Sequence, residues 1–417
     1  MLTTKAHTIC TSDMTAARRV RGHRLATVAV LVTTACAGAD PLGPSAPPVT
    51  YAAGSIEASL ETIRRQYNLP GLAAAIVRNG AITERAAIGV RRAGDTTKVS
   101  IDDKWHVGSI TKSMTATVAA RLVDKGRLQW STTVAEALPD LAAAGNPAWR
   151  SVTLAALLAM RGGVNDAAVE SKHAAAIDAM RTADPIAQRK ALANFILSEA
   201  PSPASGSAYR YANGSYALAG HVMERLTNTP WEALMQQEVF APLALTSGGF
   251  GAPATAAAAR PDQPWGHTPN GRYMLPVVPG PNADNPAAIG PAGTVHISVG
   301  DLARYMIAHL GSARGGTTYL TASSGARVHT SAGAIDTTGT GYGMGWVVYP
   351  DRNGGGPTLA HDGSNTNFFT LVMMKPTENL AIVIATNAGG DPAEKAIAAA
   401  FAAMIQRATS ISGKVAR

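Results

Sequence analysis

A serine and a lysine three residues apart open an alanine-rich apolar run in "WHVGSITKSMTA", Trp105 to Ala116. In a helix that begins near Ser109, positions i and i+3 share a face, so Ser109 and Lys112 point the same way. A lysine on a buried helix face loses water, which lowers its pKa toward the range where a neutral amine accepts a proton from a hydroxyl. The free backbone N–H groups of a helix N-terminus would stand beside the serine, useful to an oxyanion. Ile110, Met114, Val118 and Leu122 form a core-facing stripe on the same run, and Gly126 ends it. Alone, the pair fits a capping serine and a surface lysine equally well, because S-x-x-K signals nucleophilic catalysis only with companion motifs.

Two companions follow in order: Tyr211-Ala212-Asn213 in "YRYANGSYALAGHV" and His361-Asp362-Gly363 in "LAHDGSNTNFF". Singly, each has a bland explanation: a tyrosine at a helix start is usually packing, Asn213-Gly214 is a turn signal, and a histidine at a strand end is usually structural. Their joint order is what those explanations leave out. With these three elements the sequence resembles the serine β-lactamase and penicillin-binding family, in the branch that looks like class C β-lactamases, D-alanyl-D-alanine carboxypeptidases and related esterases. Y-x-N stands where other branches carry S-x-N, and H-x-G replaces K-T-G. The resemblance runs from about Ile56 to Ala408, through "LVDKGRLQW", "GYGMGW" and "LAIVIATN".

The resemblance implies roles for these residues. Ser109 would be the acylated nucleophile, Lys112 its proton acceptor, and Tyr211 the phenol that shuttles a proton to the leaving group. His361 would hydrogen-bond the tyrosine and serine network from the strand opposite, and Asn213 would hold both the lysine and the substrate's acyl side chain. Gly363 and Ser364 would meet the substrate, with the backbone N–H groups of Ser109 and Ser364 as the oxyanion hole. Two departures stand out. "LLAMRGGV", Leu157 to Val164, replaces a segment that in relatives reads closer to L-L-x-H-T-S-G, and is expected to alter a cleft wall away from the catalytic motifs. Asp362 takes the threonine position of K-T-G or H-T-G. If its side chain faces the cleft within ~5 Å of a substrate carboxylate, the repulsion is about 3 kcal/mol at an effective dielectric of ~20, favouring esters or amides without a terminal carboxylate. Strand neighbours alternate faces, so Asp362 pointing away is the competing expectation.

Elements that would position these residues are legible on both sides of them. "SIEASLETIRRQY" reads as an amphipathic helix capped by Ser55, with Ile56, Leu60 and Ile63 on one stripe. "GLAAAIVRNGAITERAAIGV" is two apolar runs around Asn79-Gly80, a tight hairpin signal. "GYGMGWVVYP", "GPTLAHDG", "NFFTLVMMKP" and "NLAIVIATN" are strand-like, and "DPAEKAIAAAFAAMIQRA" is a helix opened by Asp391, Pro392 and Glu394. The fold expected is α+β: an antiparallel sheet built from both chain ends (55–112 and 311–410), flanked by the terminal helices, with a mainly helical domain (113–310) inserted, the β-lactamase/transpeptidase-like arrangement. Together these make one hydrolase domain over 55–410, with the active site in the cleft between its parts.

The 417 residues carry a formal charge of +8, but Lys5, Arg18, Arg19, Arg21 and Arg24 stand against Asp13 alone in residues 1–35. Without that segment the charge is only +4 with no long basic run, so nucleic-acid binding loses its main support. Residues 1–35 read as a signal peptide, with "ARRVRGHR" as its charged region and "LATVAVLVTTA" as an apolar region too short to span a bilayer. Met14 is a plausible alternative start. "TTAC" resembles a lipoprotein processing site that would leave Cys36 acylated and attach the protein to a membrane, although Thr33 departs from the usual leucine and Ala37-Gly38-Ala39 offers a competing cleavage site. Residues 36–54 form a flexible tether. With Cys10 and Cys36 the only cysteines, the folded part has no internal disulfide and no thiol catalyst.

No zinc motif, nucleophile elbow, phosphate-binding loop or dinucleotide fingerprint is present, so no metal and no organic cofactor is implied. The expectation is an exported serine hydrolase of the cell envelope acting on a small ester, amide or peptide. The alternatives are a class C-like β-lactamase or D-alanyl-D-alanine carboxypeptidase, and a catalytically silent envelope binding protein. Oligomeric state is not legible.

Overall fold

Asn79 and Gly80 take φ values of 53° and 78°, the left-handed pair that a two-residue hairpin turn requires, and fold strand β1 (Gly71–Arg78) onto β2 (Ala81–Gly89). The computed structural model describes residues 54–181, 183–315, 319–351 and 354–415. The signal peptide at 1–35, the lipidation residue Cys36 and all of the 36–54 tether except Gly54 lie outside the described residues. In chain order the remaining strands are β3 (Lys104–His106), β4 (Gly249–Phe250), β5 (His267–Asn270), β6 (Tyr273–Pro276), β7 (Val295–Ser298), β8 (Gly341–Tyr342), β9 (Val347–Tyr349), β10 (Thr358–Ser364), β11 (Phe369–Lys375) and β12 (Leu380–Thr386).

Seven of them form one antiparallel sheet in the order β2-β1-β12-β11-β10-β9-β8. The first hairpin joins the last strands through β1 and β12, with Leu72 opposite Thr386 and Arg78 opposite Leu380, so both chain ends do build a single sheet. Strand alternation divides its buried side chains between two cores. Leu72, Ala74, Ile76, Leu371, Met373, Ile382 and Ile384 meet Leu60 and Ile63 of the first helix (Ile56–Gln66) and Ala396, Ala400 and Met404 of the last (Gly390–Val415). Ala73, Ala75, Val77, Val372, Met374 and Val383 meet the helix Thr111–Asp124 through Met114 and Val118, and the helix Val299–Ala313 through Leu302, Met306 and Leu310. Each such Leu, Ile or Met contributes about 1.5–3 kcal/mol by leaving water.

Ser55 caps the first helix by accepting from Ala58 N, as its sequence predicts. Gly126 closes the helix Thr111–Asp124 at φ 68°, its N–H reaching Val123 O. The inserted region is mainly helical, as expected, apart from one stretch. Between residues 249 and 298 the four strands β4 to β7 join β3 in two small sheets, β3-β7-β4 and β5-β6. The segment is dense in proline and glycine, residues that deny a helix its N–H donors and its backbone restraint. One consequence matters for the site: β3, just before Ser109, is held by pairing with β7, His106 opposite His296.

Candidate active site

Val107 N donates to Val295 O at 2.9 Å, and the chain then bends through a tight 3-10 turn, Gly108–Ile110, before the α-helix begins at Thr111. Ser109 therefore sits on the turn rather than inside the helix, half-buried and reachable. Lys112, one turn on, has no solvent exposure. Its Nζ donates to Ser109 Oγ at 2.8 Å, to Asn213 Oδ1 at 2.8 Å and to Ala292 O at 2.9 Å. Burial pulls the lysine pKa from its usual 10.5 down to about 7, against the opposing pull of the Asp166 and Asp362 charges. An amine that titrates there can exchange a proton with the serine it touches.

Tyr211 lies one residue before Ala212, the N-cap of the helix Asn213–Thr227. Its ring lies 4.7 Å from Lys112 Nζ, and its hydroxyl interacts with the Ser109 side chain. Burial pushes the phenol well above the usual tyrosine range, and the contact with Ser109 only partly offsets this. Tyr211 thus stays protonated in the resting site and is equipped to give a proton rather than to take one.

What holds Tyr211 and Asn213 in place is the segment expected to lie away from the catalytic motifs. That expectation is corrected. Leu157 O accepts from Ser215 Oγ and Leu158 O from Tyr216 Oη, Met160 O accepts from Arg210 N, and Met160 Sδ lies 3.4 Å from Ala212 N. The "LLAMRGGV" stretch is the seat of the Tyr211-Asn213 motif. Asp166, just beyond it, accepts Asn213 N–H at 2.6 Å and Gly214 N–H at 3.0 Å, placing an anion at the N-terminus of the helix that carries Asn213. Burial raises the Asp166 pKa, and those two N–H groups and the Lys112 charge pull it back. Sequence reasoning missed Asp166. The local signal, Asn165-Asp166 at a helix start, reads as a cap for its own helix (Asp166–Ala179), which Asn165 indeed supplies.

Strand β10 brings the third motif. His361 is buried, and burial lowers its pKa, so the ring is neutral. Its contacts are Tyr342 Oη at 3.3 Å and the Asp362 carbonyl at 2.5 Å, not the tyrosine and serine network expected; the Tyr211 ring centroid lies 6.4 Å away. Asp362 is corrected as well. It is exposed, and its cross-strand partner Leu371 belongs to the core beneath the terminal helices, whereas His361 pairs with Val372 on the nucleophile's side. Alternation along β10 turns the Asp362 side chain to the opposite face. Its charge still reaches Lys112 and His361 at longer range.

Gly363 serves by having no side chain. A Cβ there would strike Val107 O and come within 2.7 Å of Ser109 N, and a Cβ on Gly108 would strike Ser364 N. The strand and the nucleophile turn are thus in backbone contact, with the Ser109 and Ser364 amides on the two apposed segments. That is the arrangement an oxyanion hole needs.

These features define a class. A model of the beta-lactamase family matches residues 56–406, and the chain belongs to that family of serine hydrolases. It is 30% identical over 336 residues to penicillin-binding protein 4 of Amycolatopsis lactamdurans, covering 79% of this chain and 84% of that one. Two solved structures resemble it in fold: the octameric penicillin-binding protein homologue from Pyrococcus abyssi (TM-score 0.68, 22% identity, 83% of this chain and 77% of that one) and the D-alanine carboxypeptidase AmpC from Burkholderia cenocepacia (TM-score 0.65, 20% identity, 82% and 95%). The resemblance read from three short motifs is borne out.

Proposed function

We propose that the protein is an exported hydrolase that cleaves esters, or amides and peptides, through an acyl-enzyme on Ser109. The observation that carries this reading is the buried Lys112 Nζ, 2.8 Å from both Ser109 Oγ and Asn213 Oδ1 with a pKa near 7. Neutral Lys112 takes the Ser109 proton as Oγ attacks the carbonyl carbon. The Ser109 and Ser364 N–H groups hold the oxyanion, each such donor worth about 10²- to 10³-fold. As the tetrahedral adduct collapses, Tyr211 protonates the departing oxygen or nitrogen and is reprotonated from Lys112. Water then attacks the acyl carbon, its proton returns to neutral Lys112 through Tyr211, and Ser109 leaves with a proton restored. Asn213 keeps the lysine aimed at Ser109, and His361 braces the cleft through Tyr342.

Export rests on the basic and apolar character of residues 1–35, and attachment through Cys36 on the "TTAC" stretch. No helix among the described residues is long and apolar enough to cross a membrane. A second reading, β-lactam or D-alanyl-D-alanine hydrolysis, is favoured by the position of Asp362, which removes the close repulsion that would exclude a substrate carboxylate. A panel of p-nitrophenyl butyrate, nitrocefin and a D-Ala-D-Ala peptide on purified protein separates the two. The ester reading predicts kcat/KM highest for the butyrate. In Asp362→Thr the ratio of nitrocefin to butyrate turnover should move by less than about threefold, since an exposed carboxylate is screened. Dominant nitrocefin or peptide turnover by the wild type would replace the ester reading with the second.

A further inference from the structure

A buried pair beside the nucleophile turn takes no part in the proton transfers just described. His106, the last residue of β3, has a wholly buried side chain, and Asp284, in the loop before the short helix Gly290–Gly293, is nearly as inaccessible. His106 Nδ1 accepts the Gly108 N–H at 3.1 Å. The ring proton therefore sits on Nε2, which packs 2.9 Å from Asp284 Oδ1 without its N–H being aligned for a hydrogen bond. The same Oδ1 accepts from Asn365 Nδ2 at 3.0 Å and from Asn285 N at 2.7 Å. Asn365 directly follows Ser364, and its own Oδ1 accepts from Phe368 N at 3.0 Å and Asn367 N at 3.3 Å, shaping the turn from β10 to β11.

One carboxylate oxygen thus stands against His106, which holds the Gly108 N–H one residue before Ser109, and is hydrogen-bonded to Asn365, the residue that follows Ser364 at the end of β10. Those are the two segments that carry the amides of the oxyanion hole. We propose that Asp284 and His106 are positioning residues that keep the two halves of that hole in register. The proposal rests on the acyl-transfer reading of Ser109.

Two features show why register needs holding. Gly108 is left-handed, at φ 49°, and is packed so tightly on Ser364 that no Cβ fits. Glycine takes that conformation without strain but has no preference for it, so the turn is fixed by what holds its N–H and not by its own backbone. Asp284 Oδ2, meanwhile, is buried without a hydrogen-bond partner among the described residues. An unsatisfied buried carboxylate oxygen is a cost that packing alone does not explain, and such groups gather where structure serves chemistry. The geometry also ties this loop to the base, because Asn285 Nδ2 donates to Gly293 O beside the Ala292 carbonyl that Lys112 holds.

The test compares wild type with Asp284→Ala, Asp284→Asn and His106→Asn. It measures kcat and KM for p-nitrophenyl butyrate, affinity for phenylboronic acid, thermal midpoint, and fluorophosphonate labelling of Ser109. Boronic acids form a tetrahedral adduct on the serine that places an oxygen in the oxyanion hole, so their affinity follows transition-state stabilisation. Asp284→Ala should lower kcat by about 10- to 100-fold with KM within about threefold, and weaken phenylboronic acid by the same factor. Asp284→Asn keeps an acceptor for Asn365 and should recover part of both losses. His106→Asn, which retains an acceptor near Gly108, should fall between the two. If Asp284→Ala does not fold, the same readouts on Asp284→Asn decide. Folded variants whose kcat and boronate affinity stay within about twofold of wild type overturn the proposal. Failure of wild-type Ser109 to label overturns both it and the acyl-transfer reading, whereas labelling with unchanged boronate affinity overturns the positioning role alone.

Discussion

Lys112 gathers three acceptors around one nitrogen with no solvent exposure, and its behaviour as a base follows from the balance between that burial and the anions near it. Burial wins, bringing the pKa to about 7, so the base is neutral and competent above that pH and protonated below it. The kcat/KM of the wild type should therefore rise with pH through an apparent pKa near 7. Asp166 opposes the shift from the N-terminus of the Asn213 helix. An anion favours the charged lysine, so Asp166→Asn, which preserves bulk, should move the acid limb of the kcat/KM profile to lower pH. His361, Tyr211 and Tyr216, further titratable groups around Lys112, are held neutral by burial and cannot supply that limb near neutrality. Asp362, exposed on the opposite face, should leave the limb nearly in place when changed to Thr. A limb in Asp166→Asn that stays put or moves upward would show that Lys112 is not the group being titrated.

At the scale of elements, the site is made by close backbone approaches. Gly363 brings β10 onto the nucleophile turn, and Gly345, at φ 77°, lets the segment between β8 and β9 lie against the backbone of Lys112 and Ser113. Gly363→Ala should push strand and turn apart and lower kcat/KM by at least ~10²-fold, since a displacement of about 1 Å at a reacting centre costs that much. Steady-state kinetics on a variant shown folded by circular dichroism measures it, and near wild-type activity would mean that the close approach is incidental. The same elements show what the sequence reveals. The hairpin at Asn79-Gly80 and the cap at Ser55 were legible because their chemistry is local. The strand β1 was legible as an unbroken apolar run because both its faces are buried. Strands β4 to β7 were not, being two to four residues long and defined only by partners brought from elsewhere. Ser109, Lys112, Tyr211 and Asn213 could be read from two of the three motifs, but Asp166 could not, since its acceptor role spans 47 residues. The face of Asp362 became known only once β10 was paired with β11.

Across the molecule, besides His361, four histidines among the described residues are buried in neutral form. Burial lowers His267, His296 and His329 to about 4 and His309 well below its ordinary range. His309 and His329 contact each other at 2.8 Å, and His309 reaches Thr117 of the nucleophile helix at 3.1 Å. The unfolded chain takes up protons near pH 6.5 and the native one only near 4, so stability is full above about 6.5 and is lost as pH falls toward 4. Thermal midpoints should drop steeply between pH 6.5 and 4.5, and a flat profile there would mean these rings are protonated in the native state. The nucleophile turn and strand β10 meet beside one reachable oxygen, Ser109 Oγ, on which all the chemistry proposed here depends. Treating the wild type and Ser109→Ala with a fluorophosphonate, followed by peptide mass spectrometry, is the most direct test. One stoichiometric adduct on Ser109, and none in the folded variant, is the expected result. An adduct on another residue, or undiminished labelling of Ser109→Ala, would contradict it.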